Sequence, residues 1–434
     1  MRVKFAVAGV LALSLLATAC GSSGDDESPE TTPKAQGKVE LSFWSWAPNI
    51  EKIVAKWNAS HPDVHVTFSQ QANGDDLATK ILTASKAGNA PDVFQAEYQV
   101  LPTYISNNAV ADIAKEAGDL KSRFADGVWS QVTLGGDAVY AIPQDSGPMM
   151  YYYRADLFEK YGLKVPTTWD EFAQQAEILH KKDPKKYLTN FSAADAGWFT
   201  GLAQQAGASW WSPSGDTWKV AVNDEATRKV AGFWSGLVQK DLIDKQPSYT
   251  PKWNKALADG TLLSWPSAVW GPGVLAANAP KTAGKWKIAP LPQWAAGENK
   301  TGSWGGSATA VSAGSKNKAA AAAFAAWLNT DSEATTDLVK ESAVYPAATS
   351  AQTGPALQSA PEFFSNQPDF YTVAGQIAGT AQGFTFGPNV NVTYSAYKDA
   401  FAKAIASGGA FDGALDQMQT STVDDMKKNG FKVS

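Results

Sequence analysis

Val39-Glu40-Leu41-Ser42-Phe43 decides how the rest of this chain is read, because it alternates apolar and polar residues as a half-buried strand does. Asn49 follows in position to cap a helix, and Ile50, Ile53, Val54 and Trp57 then fall at i, i+3, i+4 and i+7. Val64, Val66 and Phe68 alternate as a second strand. Leu77, Ile81 and Ala84 share a helix face that stops at Gly88, and Pro91-Asp92-Val93-Phe94 opens a short buried strand. Strand, helix, strand, helix, strand predicts a parallel sheet covered by helices.

Outward toward the C-terminus the alternation continues. Val128 to Ile142 reads as a hairpin turning at Gly135-Gly136-Asp137. The bulky run Met149 to Tyr153 suits a strand buried on both faces. Leu157, Phe158 and Tyr161 predict a helix ending at Gly162. Thr168-Trp169-Asp170-Glu171 is a capping box that opens a helix with Phe172, Ala176 and Leu179 inward. A further helix carries Ala226, Val230, Phe233, Trp234 and Leu237, and Ser315 is placed to cap an alanine-rich helix bearing Phe324, Trp327 and Leu328. No internal repeat is visible, and the fold class is α/β.

Outward toward the N-terminus, Met1-Arg2-Val3-Lys4 supplies positive charge, Phe5 to Leu16 is almost wholly apolar, and Ala17-Thr18-Ala19 leads into Cys20. This predicts a signal peptide over 1–19 ending at a lipobox-like cysteine, similar to the acylation site of bacterial lipoproteins. The usual Leu or Val three places before the cysteine is Ala17 here, with the leucine at Leu16. Residues 20–38 have no apolar periodicity and predict a flexible tether, with an r.m.s. span of about 25 Å. No run beyond Lys38 approaches the roughly 20 apolar residues of a membrane-spanning helix. The expectation is an exported body held at the outer face of the cell membrane by a lipid on Cys20.

Composition narrows the chemistry. The chain carries a formal charge of −5, with no basic stripe for nucleic acid and no polybasic patch for anionic lipid. Cys20 is the single cysteine, so no disulfide and, once it is acylated, no thiol chemistry is available. His61 and His65 share a strand-like stretch without acidic or thiol partners, and His180 sits in the charged run His180-Lys181-Lys182-Asp183. Neither a metal site nor a cofactor is expected. The G-x-S-x-G, H-E-x-x-H, P-loop and G-x-G-x-x-G motifs are all absent. Paired-carboxylate chemistry stays open, because 42 acidic residues offer many pairs.

The positive signal is tryptophan, with 17 in the chain. Trp57, Trp169, Trp234 and Trp327 lie on helix faces and belong to the core. Others occupy Gly/Pro-rich turns: Trp44, Trp46, Trp198, Trp265, Trp270 and Trp304. An indole face packs well on the C–H face of a pyranose, and Asp, Glu, Asn and Gln supply partners for sugar hydroxyls.

Blocks in this sequence resemble those of the family 1 extracellular solute-binding proteins of ABC importers, the group that includes maltose-binding protein. They are Leu41-Ser42-Phe43-Trp44-Ser45-Trp46, Ala87-Gly88-Asn89-Ala90-Pro91-Asp92-Val93, and Ala141-Ile142-Pro143-Gln144-Asp145-Ser146-Gly147-Pro148. Tyr153-Arg154-Ala155-Asp156-Leu157-Phe158 with Pro166-Thr167-Thr168-Trp169-Asp170-Glu171-Phe172 is the most specific, and Trp304-Gly305-Gly306-Ser307 completes the series. They occur in the family's order over nearly all of the mature chain.

The resemblance implies a two-lobed periplasmic-binding-protein fold (type II) with a hinge crossed near Pro143-Gln144-Asp145, Trp304-Gly305-Gly306 and Val344-Tyr345-Pro346. Lobe 1 is then 39–143 plus 306–343, and lobe 2 is 144–305 plus 344–434. It implies a non-enzymatic receptor that binds a neutral sugar, an oligosaccharide by its aromatic platforms, and delivers it to membrane permease subunits. By position, the ligand-binding candidates are Trp46, Asn49, Glu97, Asp145, Trp198, Phe199, Trp270, Trp304, Gly306 and Tyr345. Asp145 has a competing role in capping the turn before Gly147. The protein is expected to be a monomer with no nucleic-acid partner. Two alternatives remain: a lipid-anchored glycosidase using Glu97 and Asp145, or a receptor for another polar solute such as glycerol phosphate, which would want a basic cleft.

Overall fold

Leu41, Phe43 and Ser45 are buried while Glu40 is exposed, so the alternation that begins at Val39 does place one face of a strand in a core. The computed structural model describes residues 38–71, 74–215 and 217–434. The expected signal peptide, Cys20 and the tether as far as residue 37 lie outside the described residues. In chain order the strands are β1 (Val39–Ser45), β2 (Val64–Gln70), β3 (Val93–Glu97) and β4 (Ala141–Pro143), then β5 (Met149–Arg154), β6 (Trp211–Ser214) and β7 (Thr217–Val220). They continue with β8 (Ser264–Ala268), β9 (Trp286–Ala289), β10 (Ser307–Val311) and β11 (Lys432–Val433).

The first sheet has the order β2-β1-β3-β10-β4. β1 is parallel to β2 and β3, as the strand–helix alternation predicts. β10 then runs antiparallel between β3 and β4 after more than 150 residues spent elsewhere. Helices Ile50–Ser60 and Lys318–Thr330 cover the sheet and close one apolar core around Phe43, Trp57, Phe94 and Phe324. That core runs from Leu41 to Ile142 and resumes from Ala308 to Ala348.

β5 organises the rest. It is central in the antiparallel sheet β8-β5-β9, and its alternate residues serve two cores. Met149 and Tyr151 enter one with Trp169, Phe172, Trp198 and Trp234, while Met150 and Tyr152 enter the other with Trp253, Trp265 and Trp286. A small sheet, β11-β7-β6, completes the strands. No helix among the described residues is long and apolar enough to cross a membrane.

Three local expectations are corrected. Val128 to Ile142 is not a hairpin: Asp126–Thr133 is a helix burying Trp129, Val132 and Thr133, and only Ala141–Pro143 is strand. Val128 and Val132 stand four apart, a helical spacing that the glycines beyond obscured. Asn49 occupies the N-cap position with φ 57° but makes no capping bond; its Nδ2 donates to the Glu341 carbonyl at 3.0 Å. Ser315 is not a cap either, since its hydroxyl donates to Asp92 Oδ1 at 2.7 Å and Asn317 holds the cap position. The capping residue at Thr168 is as expected, accepting from the Glu171 N–H at 3.1 Å, while the Glu171 carboxylate reaches Thr167.

Candidate functional site

The chain passes between the first core and the other two near Gln144, near Gly306 and near Tyr345, and the three passes are hydrogen-bonded side by side. Gln144 and Asp145 donate their N–H groups to the Ser307 carbonyl at 2.9 and 3.1 Å. Ser146 donates to the Tyr345 carbonyl at 3.1 Å, and Ala347 donates back to the Gln144 carbonyl at 3.0 Å. The Tyr98 hydroxyl donates to the Asp145 carbonyl at 2.8 Å. At Gly306 the backbone has φ +98°, and a Cβ there would lie 2.9 Å from the Tyr98 ring, so a side chain would be both strained and obstructed.

These passes floor a cavity of about 1190 Å³ whose walls come from both sides. From the first core come Trp46, Gln95, Glu97 and Gln99; from the other two come Asp195, Gly197, Tyr249 and Trp270. Trp304, Gly306 and Ser307 contribute from the second pass and Tyr345 from the third. Trp304 stands at the centre of an aromatic group: its ring is 4.7 Å from that of Trp270 at 67° and 6.2 Å from that of Trp265 at 88°. The Trp270 Nε1 donates to the Trp304 backbone carbonyl at 3.0 Å, which orients the Trp270 indole against this segment. Gly197 makes room for that indole, since a Cβ there would be 3.0 Å from Trp304 Nε1.

Polar groups surround this wall. Gln95 is buried and tied on both sides, accepting from the Ser45 hydroxyl at 2.6 Å and donating to the Ser307 hydroxyl at 2.9 Å. Glu97 accepts from Gln99 at 2.9 Å. Asp145 Oδ1 accepts the Ser307 N–H, so the carboxylate braces the junction of two passes rather than the turn before Gly147. Burial pushes the Asp145 carboxyl up to about 7, against the pull of Ser307. Burial likewise pushes Asp195 up to about 7, against the N–H of Trp198 that its side chain caps. Lys398 lines the cavity as well, giving three carboxyl groups and one ammonium among the described lining residues.

Of the residues singled out from sequence, Trp46, Glu97, Asp145, Trp270, Trp304, Gly306 and Tyr345 meet at this cavity. Asn49 does not line it; its side chain is turned to the helix Ser332–Ser342. Trp198 and Phe199 are corrected to core residues, at 4 % and 0 % exposure. Trp198 lies in the first turn of the helix Ala196–Gln205 and donates its Nε1 to the Pro266 carbonyl at 2.9 Å. It is the start of that helix, Asp195 to Gly197, that faces the cavity.

Sequence reasoning missed Asp195, Tyr249 and the polar stripe Asn391, Tyr394, Ser395 and Lys398 on the helix Val390–Ser407. The stripe was legible as i, i+3, i+4 and i+7 spacing, and Asp195 as an N-cap three residues before Trp198. Among the described residues no group of three or more His, Cys, Asp or Glu could hold a metal ion.

Comparisons with known proteins agree with this geometry. The family model for bacterial extracellular solute-binding proteins matches residues 44–335. The galacto-N-biose/lacto-N-biose I-binding protein of an ABC transporter from Bifidobacterium longum, solved with lacto-N-biose, superposes with a TM-score of 0.83 at 30 % identity, covering 92 % of this chain and 100 % of that one. An ABC-transporter-associated binding protein from B. animalis subsp. lactis, solved with β-1,6-galactobiose, gives 0.80 at 26 % identity, with coverage of 92 % and 100 %. The lactose-binding protein of Rhizobium radiobacter is 26 % identical over 342 residues, 76 % of this chain and 79 % of that protein. A two-lobed α/β architecture, a cleft at three side-by-side chain passes and a family match over most of the body agree: the chain belongs to the bacterial extracellular solute-binding proteins, and its relatives include sugar-binding proteins of ABC transporters.

Proposed function

We propose that this protein is an exported, monomeric receptor, anchored by a lipid on Cys20, that takes a neutral oligosaccharide into the cleft and delivers it to the permease of an ABC importer without reacting on it. The observation that carries this reading is the wall of Trp270, Trp304 and Tyr249 facing Trp46, Glu97 and Gln99 across the chain passes. Each aromatic face contributes roughly 0.5–1.5 kcal/mol beyond area burial, and each charge-assisted hydroxyl bond about 1.5–3 kcal/mol. A volume of about 1190 Å³ exceeds that of most small-ligand sites, which supports a ligand of more than one ring. Three carboxyl groups against Lys398 alone disfavour an anionic solute such as a glycerol phosphate.

The lobes in this reading are 39–143 plus 306–343 and 144–305 plus 344–434. Ala347 and Ala348, packed in the first core, support extending lobe 1 slightly at the third pass. A ligand touching both lobes favours closure by its differential affinity. Relatives named for lactose, lacto-N-biose and β-1,6-galactobiose bind sugars that share a β-galactosyl unit, which makes β-galactosides the first ligands to try. The glycosidase alternative has less support, because the matching family and the sugar-named relatives are binding proteins.

Calorimetric titration of the body from Lys38 with β-galactosides and with gluco-, xylo-, malto- and chito-oligosaccharides tests the proposal, with reducing ends assayed in the same samples. Saturable one-to-one binding without new reducing ends is expected. Turnover would replace the receptor by a glycosidase, and silence across all sugars would remove the carbohydrate reading.

A further inference from the structure

Tyr249 is one of two large hydrophobic residues left well exposed among the described residues, at 47 %, and the other, Ile178, is far along a surface helix. Its backbone has φ 63°, the left-handed region that a bulky side chain avoids. Such a conformation persists only where the surroundings impose it, and those surroundings are visible. Asn190 Nδ2 donates to the Gln246 carbonyl at 2.9 Å and to the Ser248 hydroxyl at 3.0 Å. Ser248 N–H donates to the Ser192 hydroxyl at 3.3 Å, and the Thr250 hydroxyl, which caps the helix Pro251–Asp259, donates back to the Pro247 carbonyl at 3.1 Å. Trp253 in turn donates its Nε1 to Asn190 Oδ1 at 2.9 Å.

The constraint has a geometric result. The Tyr249 ring lies 5.2 Å from that of Trp253 and 6.3 Å from that of Trp304, with one side of the residue open to the cleft. Desolvation of the phenol in the cleft and, after it, the charge of nearby Asp195 hold the Tyr249 hydroxyl well above its ordinary value.

We propose that Tyr249 is a specificity-determining residue of the cleft: a loop stapled through Asn190 holds its backbone in a strained state so that its ring receives one pyranose unit while Asp195 accepts that unit's hydroxyls. This rests on the carbohydrate reading above. Strain retained at a site rather than relieved is expected where it positions a group for binding.

The test compares Tyr249→Phe, Tyr249→Ala and Tyr249→Gly, each titrated with the sugar that wild type binds and each melted without ligand. Ala and Gly both lose the ring, and affinity should fall about tenfold in both. Phe should keep most of it. Glycine accepts the left-handed backbone, so the Gly variant should melt above the Ala variant. Equal affinity in all four proteins would overturn the proposal, leaving Tyr249 as packing for Trp253. Gly melting below Ala would overturn the strain. Wild type binding no sugar would overturn the carbohydrate reading together with this one.

Discussion

Asp145 holds the Ser307 N–H at the junction of two chain passes and, in the proposed complex, a ligand hydroxyl as well. Its carboxyl, like that of Asp195, is pushed up to about 7 by burial, whereas an unfolded aspartate titrates near about 3.9. The folded state therefore binds these protons more tightly than the unfolded state. Their contribution to stability is present below the unfolded value and is lost as pH rises through about 7. Melting of the ligand-free body should fall across that window, and Asp145→Asn should flatten the fall. Ligand affinity should move oppositely, since hydroxyl donors favour the ionised carboxyl. Calorimetry should find binding weaker by roughly tenfold or more at pH 5.5 than at pH 7.5, with proton uptake by buffer on binding. Affinity independent of pH would mean neither carboxyl meets the ligand.

At the scale of elements, the helix Ala196–Gln205 positions the Trp304 wall by close backbone approach. A Cβ at Gly302 would overlap the Gly201 carbonyl, and one at Gly201 would meet the Ser303 carbonyl at 2.9 Å. Gly302→Ala should cost about 1–3 kcal/mol as overpacking, and because the displaced segment carries Trp304 it should weaken ligand binding too. Chemical denaturation and titration of the same variant check both. This is also where the sequence was least legible. Trp198, in a glycine-flanked stretch, suggested a loop-borne platform, yet Asp195 caps a helix there and turns Trp198 into the core. The strand–helix alternation from Val39 was readable because its apolar residues keep a period. Tyr249 was not, because its role depends on a backbone angle and on Asn190, almost 60 residues earlier, and neither leaves a periodic mark.

At the scale of the molecule, the antiparallel insertion of β10 between β3 and β4 was not legible in the sequence, since it pairs residues over 150 positions apart; the family resemblance supplied only a return of the chain near Gly306. It makes the first core discontinuous along the chain and brings the second pass beside the first. The proposed lipid anchor on Cys20 is tested at this scale as well: full-length protein expressed in bacteria should incorporate labelled palmitate and partition into detergent. Cys20→Ala should abolish both without changing sugar affinity, and labelling that survives the substitution would place the anchor elsewhere. The most direct test of the central claim is a crystal structure of the body grown with its tightest-binding sugar. The sugar should lie between Trp270, Trp304 and Tyr249 on one side and Trp46 and Glu97 on the other, touching both lobes. A sugar bound outside this cleft, or held by one lobe alone, would contradict it.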